Sequence, residues 1–202
     1  ILGEEFIGDD DVWLVLGDNI FYSEGLIALL KKAIYNAEVK KKATVFGHQV
    51  INPSSFGVVN FDKKGSILSF EEKPVKPKSN YAVVGLYFYP NSIVEISKKI
   101  TPSNRGELEI TSVNNIYLRR KEILLELMGR GFAWLDTGTH ESLLAASNFI
   151  KTVQDLQSLK IACLEEIAFE KGYIDAKQLK KLALKNKNKK YTNYLLQLIK
   201  QG

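Results

Sequence analysis

DVWLVLGDN, residues 11–19, decides how this chain is read. Its first seven residues are an apolar run of strand length, rich in Val and Leu, that stops at Gly17. Near-continuous apolarity, in place of alternation, predicts a strand buried on both faces of an α/β sheet. Asp18 and Asn19 then stand at the carboxyl end of that strand, where open α/β sheets put their ligand crevice. Leu26, Leu29, Leu30, Ala33 and Ile34 follow at helical spacing, with Lys31 and Lys32 on the other side. ATVFGHQV (43–50) is the next strand, so strand, helix and strand predict a right-handed crossover and a parallel pair.

The texture changes further along. GVVNFD (57–62), Lys63-Lys64-Gly65 and SILSFE (66–71) predict a hairpin, with Gly65 closing its turn. AVVGLYFY (82–89) reads as another buried strand ended by Pro90. Helices are expected over 91–99 and 108–120, a last strand at FAWLD (132–136), and a helix over 141–153. From Lys160 onward the pattern is helical, and Asp175 is placed to cap a helix over 176–184. The expected fold is α/β: a mostly parallel sheet with antiparallel insertions (1–150) and a helical C-terminal appendage (151–202).

Composition narrows the classes. With 202 residues, 45% hydrophobic and 25% charged, the chain has ordinary globular content and enough length for a core without metal or disulfide staples. No run approaches the ~20 apolar residues that a membrane span needs. Cys163 is the single cysteine, which excludes a disulfide framework and, with no signal-peptide pattern, suits a reducing cytoplasm. The net charge of +5 is uneven. Residues 1–150 carry 17 Lys and Arg against 18 Asp and Glu, while 151–202 carry 11 against 5. Such a tail could attract a polyanion, but it lacks the aromatic platforms of single-strand binders, and nucleic acid is not expected as a partner.

Four segments carry candidate chemistry. Asp18 and Asp136 are acids at the ends of two different strands, and such a pair could share a Mg²⁺ ion, which takes few carboxylates plus waters and phosphate oxygens. Each, taken alone, reads equally as a helix or turn cap. In Glu71-Glu72-Lys73-Pro74, the proline biases Lys73 toward an extended backbone that would present its ammonium to a phosphate. Its bland alternative is a solvated Glu–Lys pair. Arg105, in RGELE (105–109), opens a helix and could bind an anion, or simply face acidic neighbours. His48 and His140 are too isolated for a metal pair, Cys163 reads as core, and Ser23 and Ser142 lack an elbow motif. Nothing points to nucleophilic catalysis.

In their order these segments resemble the sugar-nucleotide pyrophosphorylases, and within them the branch that charges glucose 1-phosphate with thymidylate. The likeness runs through LVLGDNIFY (14–22), ATVFGHQV (43–50), FGVVNFD (56–62), SFEEKP (69–74), SNYAVVGLYFY (79–89), RGELEIT (105–111) and AWLDTGTHESLLAAS (133–147). LKIACLEEIAF (159–169) and GYIDAKQL (172–179) extend it into the tail.

The resemblance implies a Rossmann-like nucleotidyltransferase fold and the reaction of dTTP with glucose 1-phosphate to give dTDP-glucose and pyrophosphate. In that reading Asp18 and Asp136 hold Mg²⁺, and Lys73 and Arg105 bind the sugar phosphate. Glu72 accepts from sugar hydroxyls, Asn19 joins the substrate contacts, and Trp134 packs beside the second metal ligand. The backbone at Gly57 and Val83 touches the sugar. It also implies a homo-oligomer, dimer or tetramer, in the cytoplasm, serving dTDP-rhamnose and polysaccharide synthesis. Phe56, where a Tyr is common, SEGL after Tyr22, and Leu156 and Ser158 in the tail depart from the family pattern. The family's G-x-G-T-R loop, which holds the triphosphate, is not among these 202 residues. Ile1 is therefore read as a cut, and the 202 residues alone are expected to be inactive. The alternatives are a uridylyl or other nucleotidyl transfer, or a non-catalytic module that binds sugar phosphate.

Overall fold

The structure, a computed structural model, describes residues 2–201; Ile1, read above as a cut end, lies outside them together with Gly202. In chain order the first elements are α1 (Glu4–Ile7), β1 (Val12–Val15), β2 (Asn19–Tyr22), α2 (Leu26–Glu38) and β3 (Ala43–Gln49). The hairpin β4 (Gly57–Phe61) and β5 (Ile67–Glu72) follows, then β6 (Tyr81–Tyr89), α3 (Ile93–Ser97) and α4 (Ile110–Arg120). Then come β7 (Ile123–Met128), β8 (Ala133–Asp136), α5 (His140–Gln157), α6 (Leu164–Glu170), α7 (Ala176–Lys185) and α8 (Lys189–Gln201). The chain separates into two compact units, Ile1–Ala146 and Ser147–Gly202, with the division falling inside α5.

The class is α/β, and β6 organises the first unit. Its alternate residues face two cores. Tyr87 and Tyr89 join Val45, Ile96, Val113 and Tyr117 beneath α3 and α4. Val84, Leu86 and Phe88 join Phe46 and Ala33 beneath α2. Burial on both sides is what a nine-residue apolar run requires.

Pairing corrects the expected crossover. The strand order is β5-β4-β6-β3-β7, with β1 also on β6. β1 and β3 point the same way, but β6 lies between them, antiparallel to both. β1, β3, β4 and β7 share one direction, while only the β3–β7 ladder is parallel. Order along the chain says nothing of which later strand inserts itself. β1 itself is not buried on both faces: Trp13, Leu14, Val15 and Leu16 are exposed. It pairs with β6 along one edge, and among the described residues no strand pairs with the other. The hairpin is as expected. Asp62 accepts the amides of Lys64 and Ser66, and Gly65 takes the positive φ of +82° that the turn needs.

In the second unit Cys163, Leu179, Ala183 and Leu195 form a small core, with Phe169, Tyr191 and Tyr194 packed against it. Cys163 is buried beside the Tyr191 hydroxyl, as its core reading expects. Leu164 and Ile167 remain exposed. Asp175 caps α7 in a reciprocal box with Gln178, worth about 1 kcal/mol. Among the described residues no helix is long and apolar enough to cross a membrane.

Candidate active site

A cavity of about 240 Å³ opens where β4, β5, β6 and β8 meet the start of α4. Gly57 and Phe56, Glu72 and Lys73, and Val83 form three of its sides. Asn19, Trp134 and Asp136 form the fourth. Seven of the residues singled out above therefore share one cavity: Asn19, Gly57, Glu72, Lys73, Val83, Trp134 and Asp136. Asp18 and Arg105 do not line it and stand at opposite margins.

The acidic margin is built by the short antiparallel pair β2–β8, which sets Asn19 opposite Asp136. The Thr137 amide donates to the Asp18 carbonyl at 2.9 Å, joining the two acid-bearing turns. A Cβ on Gly138 would lie 3.2 Å from Asp136 Oδ1 and 3.8 Å from Asp18 Oδ2, so both carboxylates face one small volume. Asp136 Oδ1 accepts the Gly138 amide and Asp18 Oδ1 accepts from Asn19 Nδ2. Each acid keeps an Oδ2 with no protein hydrogen bond among the described residues. The donors are all oxygen, and no cluster of three or more His, Cys, Asp or Glu occurs among the described residues. Two carboxylates with open coordination suit Mg²⁺, which retains waters, better than a metal needing a full protein cage.

Asn19 is the hub of this margin. Its Oδ1 accepts from Trp134 Nε1 at 2.6 Å and from the Gly85 amide at 3.0 Å, while its Nδ2 holds Asp18 at 2.9 Å. A Cβ on Gly85 would come within 2.6 Å of Asn19 Oδ1 and 2.7 Å of Leu16 Cδ1, so only glycine fits there. Trp134 also packs on Phe56, with ring centroids 5.0 Å apart, and meets His48 edge-on at 6.0 Å. Burial holds the His48 imidazole below its ordinary pKa, partly offset by its hydrogen bond to the Met128 backbone.

The basic margin works differently. Lys73 adopts φ +40°, a left-handed conformation, and its amide donates to the Phe56 carbonyl at 3.0 Å. The extended backbone expected before Pro74 is thus overruled, because this hydrogen bond continues the β4–β5 ladder past Glu72. Arg105 meets three carboxylates: Glu109 at 3.2 Å, Glu107 at 3.3 Å and Glu72 at 3.8 Å. Glu72 also accepts from the Thr111 hydroxyl at 2.5 Å. Tyr87, a lining residue that sequence reasoning missed, is kept a neutral phenol by burial first and by the Glu72 charge second. Ile110 and Thr111 were missed too, as lining residues. Gly85 left a signal, a glycine interrupting an apolar strand.

Chemically, the cavity offers sugar-sized space, carboxylate and hydroxyl acceptors and the Lys73 ammonium, with a paired acid at one margin and Arg105 at the other. A protein-family profile described as nucleotidyl transferase matches residues 1–153. The chain belongs to the nucleotidyl transferase family. Among its relatives in that family, a Neisseria meningitidis protein named glucose-1-phosphate thymidylyltransferase is 52% identical over the whole of this chain and 69% of its own length. A Mycobacterium tuberculosis protein of the same name is 47% identical, again over the whole of this chain and 69% of its own. Among solved structures of nucleotidyl transferases, one of UDP-glucose pyrophosphorylase complexed with UDP-glucose superposes with a TM-score of 0.64 at 26% identity. That match covers 74% of this chain and 59% of the solved one. This chain therefore spans about two thirds of the curated relatives and less of the solved structure.

Proposed function

We propose that this chain carries the sugar-phosphate side of an enzyme that transfers a thymidylyl group from dTTP to glucose 1-phosphate. The observation that carries the reading is the single cavity with acids on one margin and Lys73 and Arg105 on the other. The names borne by relatives at about half identity favour thymidylyl over other transfers. A phosphate oxygen of glucose 1-phosphate attacks the α-phosphorus of dTTP in line; the new O–P bond forms as the bond to pyrophosphate breaks. Such a step asks for positioning and charge neutralisation, not for a protein nucleophile.

Lys73 and Arg105 offset the repulsion between two anionic substrates, at about 3 kcal/mol of barrier lowering apiece. Glu72 accepts from sugar hydroxyls, with Thr111 orienting its carboxylate, and Gly57 and Val83 present backbone to the ring. Asp18 and Asp136 would hold Mg²⁺, which supplies charge neutralisation of phosphate oxygens when bound. Asn19 and Trp134 keep the Asp18 carboxylate turned toward Asp136. The same reading carries a cytoplasmic homo-oligomer, dimer or tetramer, serving dTDP-rhamnose and polysaccharide synthesis.

The resemblance to UDP-glucose pyrophosphorylase supplies the competing nucleotide. Pyrophosphate release by the intact protein, measured with dTTP and UTP side by side, separates the two. A preference for dTTP of about tenfold or more in kcat/KM is expected, and a preference for UTP overturns the thymidylyl assignment. Residues 1–202 alone, lacking a G-x-G-T-R loop, are expected to release none.

A further inference from the structure

Glu109 is the one charged residue that the fold buries among the described residues; the other buried polar residues are Asn36, Thr44, Thr111 and Asn114. A buried carboxylate carries a large desolvation penalty, and pairing it is a poor way to stabilise a fold. Its place in the sequence suggests an ordinary purpose, because it stands at the N-cap of α4, where an acid accepts the first free amides. Its side chain caps nothing. Instead Oε1 accepts from the Ser103 hydroxyl at 3.1 Å and from Arg105 Nη1 at 3.2 Å. The Ser103 oxygen in turn accepts the Arg105 backbone amide at 3.1 Å. Ser103 and Glu109 thus grip Arg105 at both ends, its amide and its guanidinium.

Two other acids compete for that guanidinium. Glu107 is solvent-exposed and reaches Nη2, whereas Glu72 lies in the cavity and faces Nη1. We infer that Glu109, seconded by Ser103, is a positioning residue that holds Arg105 toward the cavity against the pull of Glu107 and so sets affinity for the sugar phosphate. The inference rests on the sugar-phosphate reading of the cavity.

Charge and positioning predict opposite signs. If only charge mattered, neutralising any carboxylate beside Arg105 would strengthen the binding of an anion. Positioning requires that Glu109→Gln weaken it, while Glu107→Gln leaves it unchanged or strengthens it. With the intact protein, Glu109→Gln is expected to raise the KM for glucose 1-phosphate about tenfold, the scale of one lost charge-assisted hydrogen bond, with kcat and the KM for dTTP within about twofold. The double variant Glu107→Gln/Glu109→Gln is expected to recover most of that loss, which a merely structural role would not permit. Ser103→Ala, expected to show a smaller rise of the same kind, serves if Glu109→Gln does not fold. Unchanged or tighter glucose 1-phosphate binding in both Glu109→Gln and Ser103→Ala overturns the inference while the function stands. Failure of the wild-type protein to bind glucose 1-phosphate at all overturns both.

Discussion

At the acidic margin of the cavity, Asp18 and Asp136 are set by backbone pairing and by the neutral amide of Asn19, whereas at the basic margin Arg105 is set by three opposing carboxylates. The first arrangement leaves the Oδ2 of each acid without a protein hydrogen bond among the described residues. The second leaves no free guanidinium, so an incoming phosphate must compete with groups already there. Lys73 stands between the two styles: it belongs to the basic margin, but a strained backbone places it. A margin set by backbone should fail abruptly when altered, and one set by charge should fail by degrees.

The largest effect is expected at the acids. Asp18→Asn or Asp136→Asn should lower kcat by about 100-fold or more at saturating Mg²⁺, as for the loss of one strong transition-state contact. Near-normal turnover in either variant would remove the metal role from that margin. Gly85→Ala comes next. The new methyl would overlap the Asn19 amide, which is held on both sides, so overpacking should cost about 1–3 kcal/mol in thermal or denaturant unfolding. Turnover should fall as well, because Asp18 loses its support. An unperturbed Gly85→Ala protein would show that the hub can move freely, and the contrast between margins would dissolve.

The smallest effect concerns His48. Burial depresses its folded-state pKa below the ordinary 6.5, so below that pH the unfolded chain takes up a proton that the folded chain resists. Stability from this group is fully present above pH 6.5 and is lost as pH falls toward the depressed value. Melting temperatures measured between pH 7.5 and 5.5 should therefore drop less in His48→Gln than in the wild type. An identical slope would mean that the imidazole is not held neutral.

What was legible in the sequence follows physical locality. β3 and the β4–β5 hairpin are written in contiguous apolar runs and a turn residue, and both are found as read. The insertion of β6 between β1 and β3 is a pairing between segments some 40 and 70 residues apart, for which no local pattern exists. β7 went unseen although α4 ends at Arg120 as read, because ILLELM (123–128) is a short Leu-rich run that periodicity alone does not separate from a buried helix segment. β2 is four residues that follow directly on Asp18. In the site, Asp18 and Asp136 were visible as acids at strand ends, but their convergence beside Gly138 needs the β2–β8 pair. Glu109 looked like one more acid opening a helix, and only its burial sets it apart.

The central claim is that this cavity receives the sugar phosphate that attacks dTTP. Its most direct measurement is pyrophosphate release from dTTP by the intact protein as glucose 1-phosphate is varied, in the wild type and in Lys73→Ala. The account predicts release that requires glucose 1-phosphate, saturates with it, and falls by about 100-fold in kcat/KM for the variant. Release that is independent of glucose 1-phosphate, or indifferent to the loss of Lys73, would contradict it.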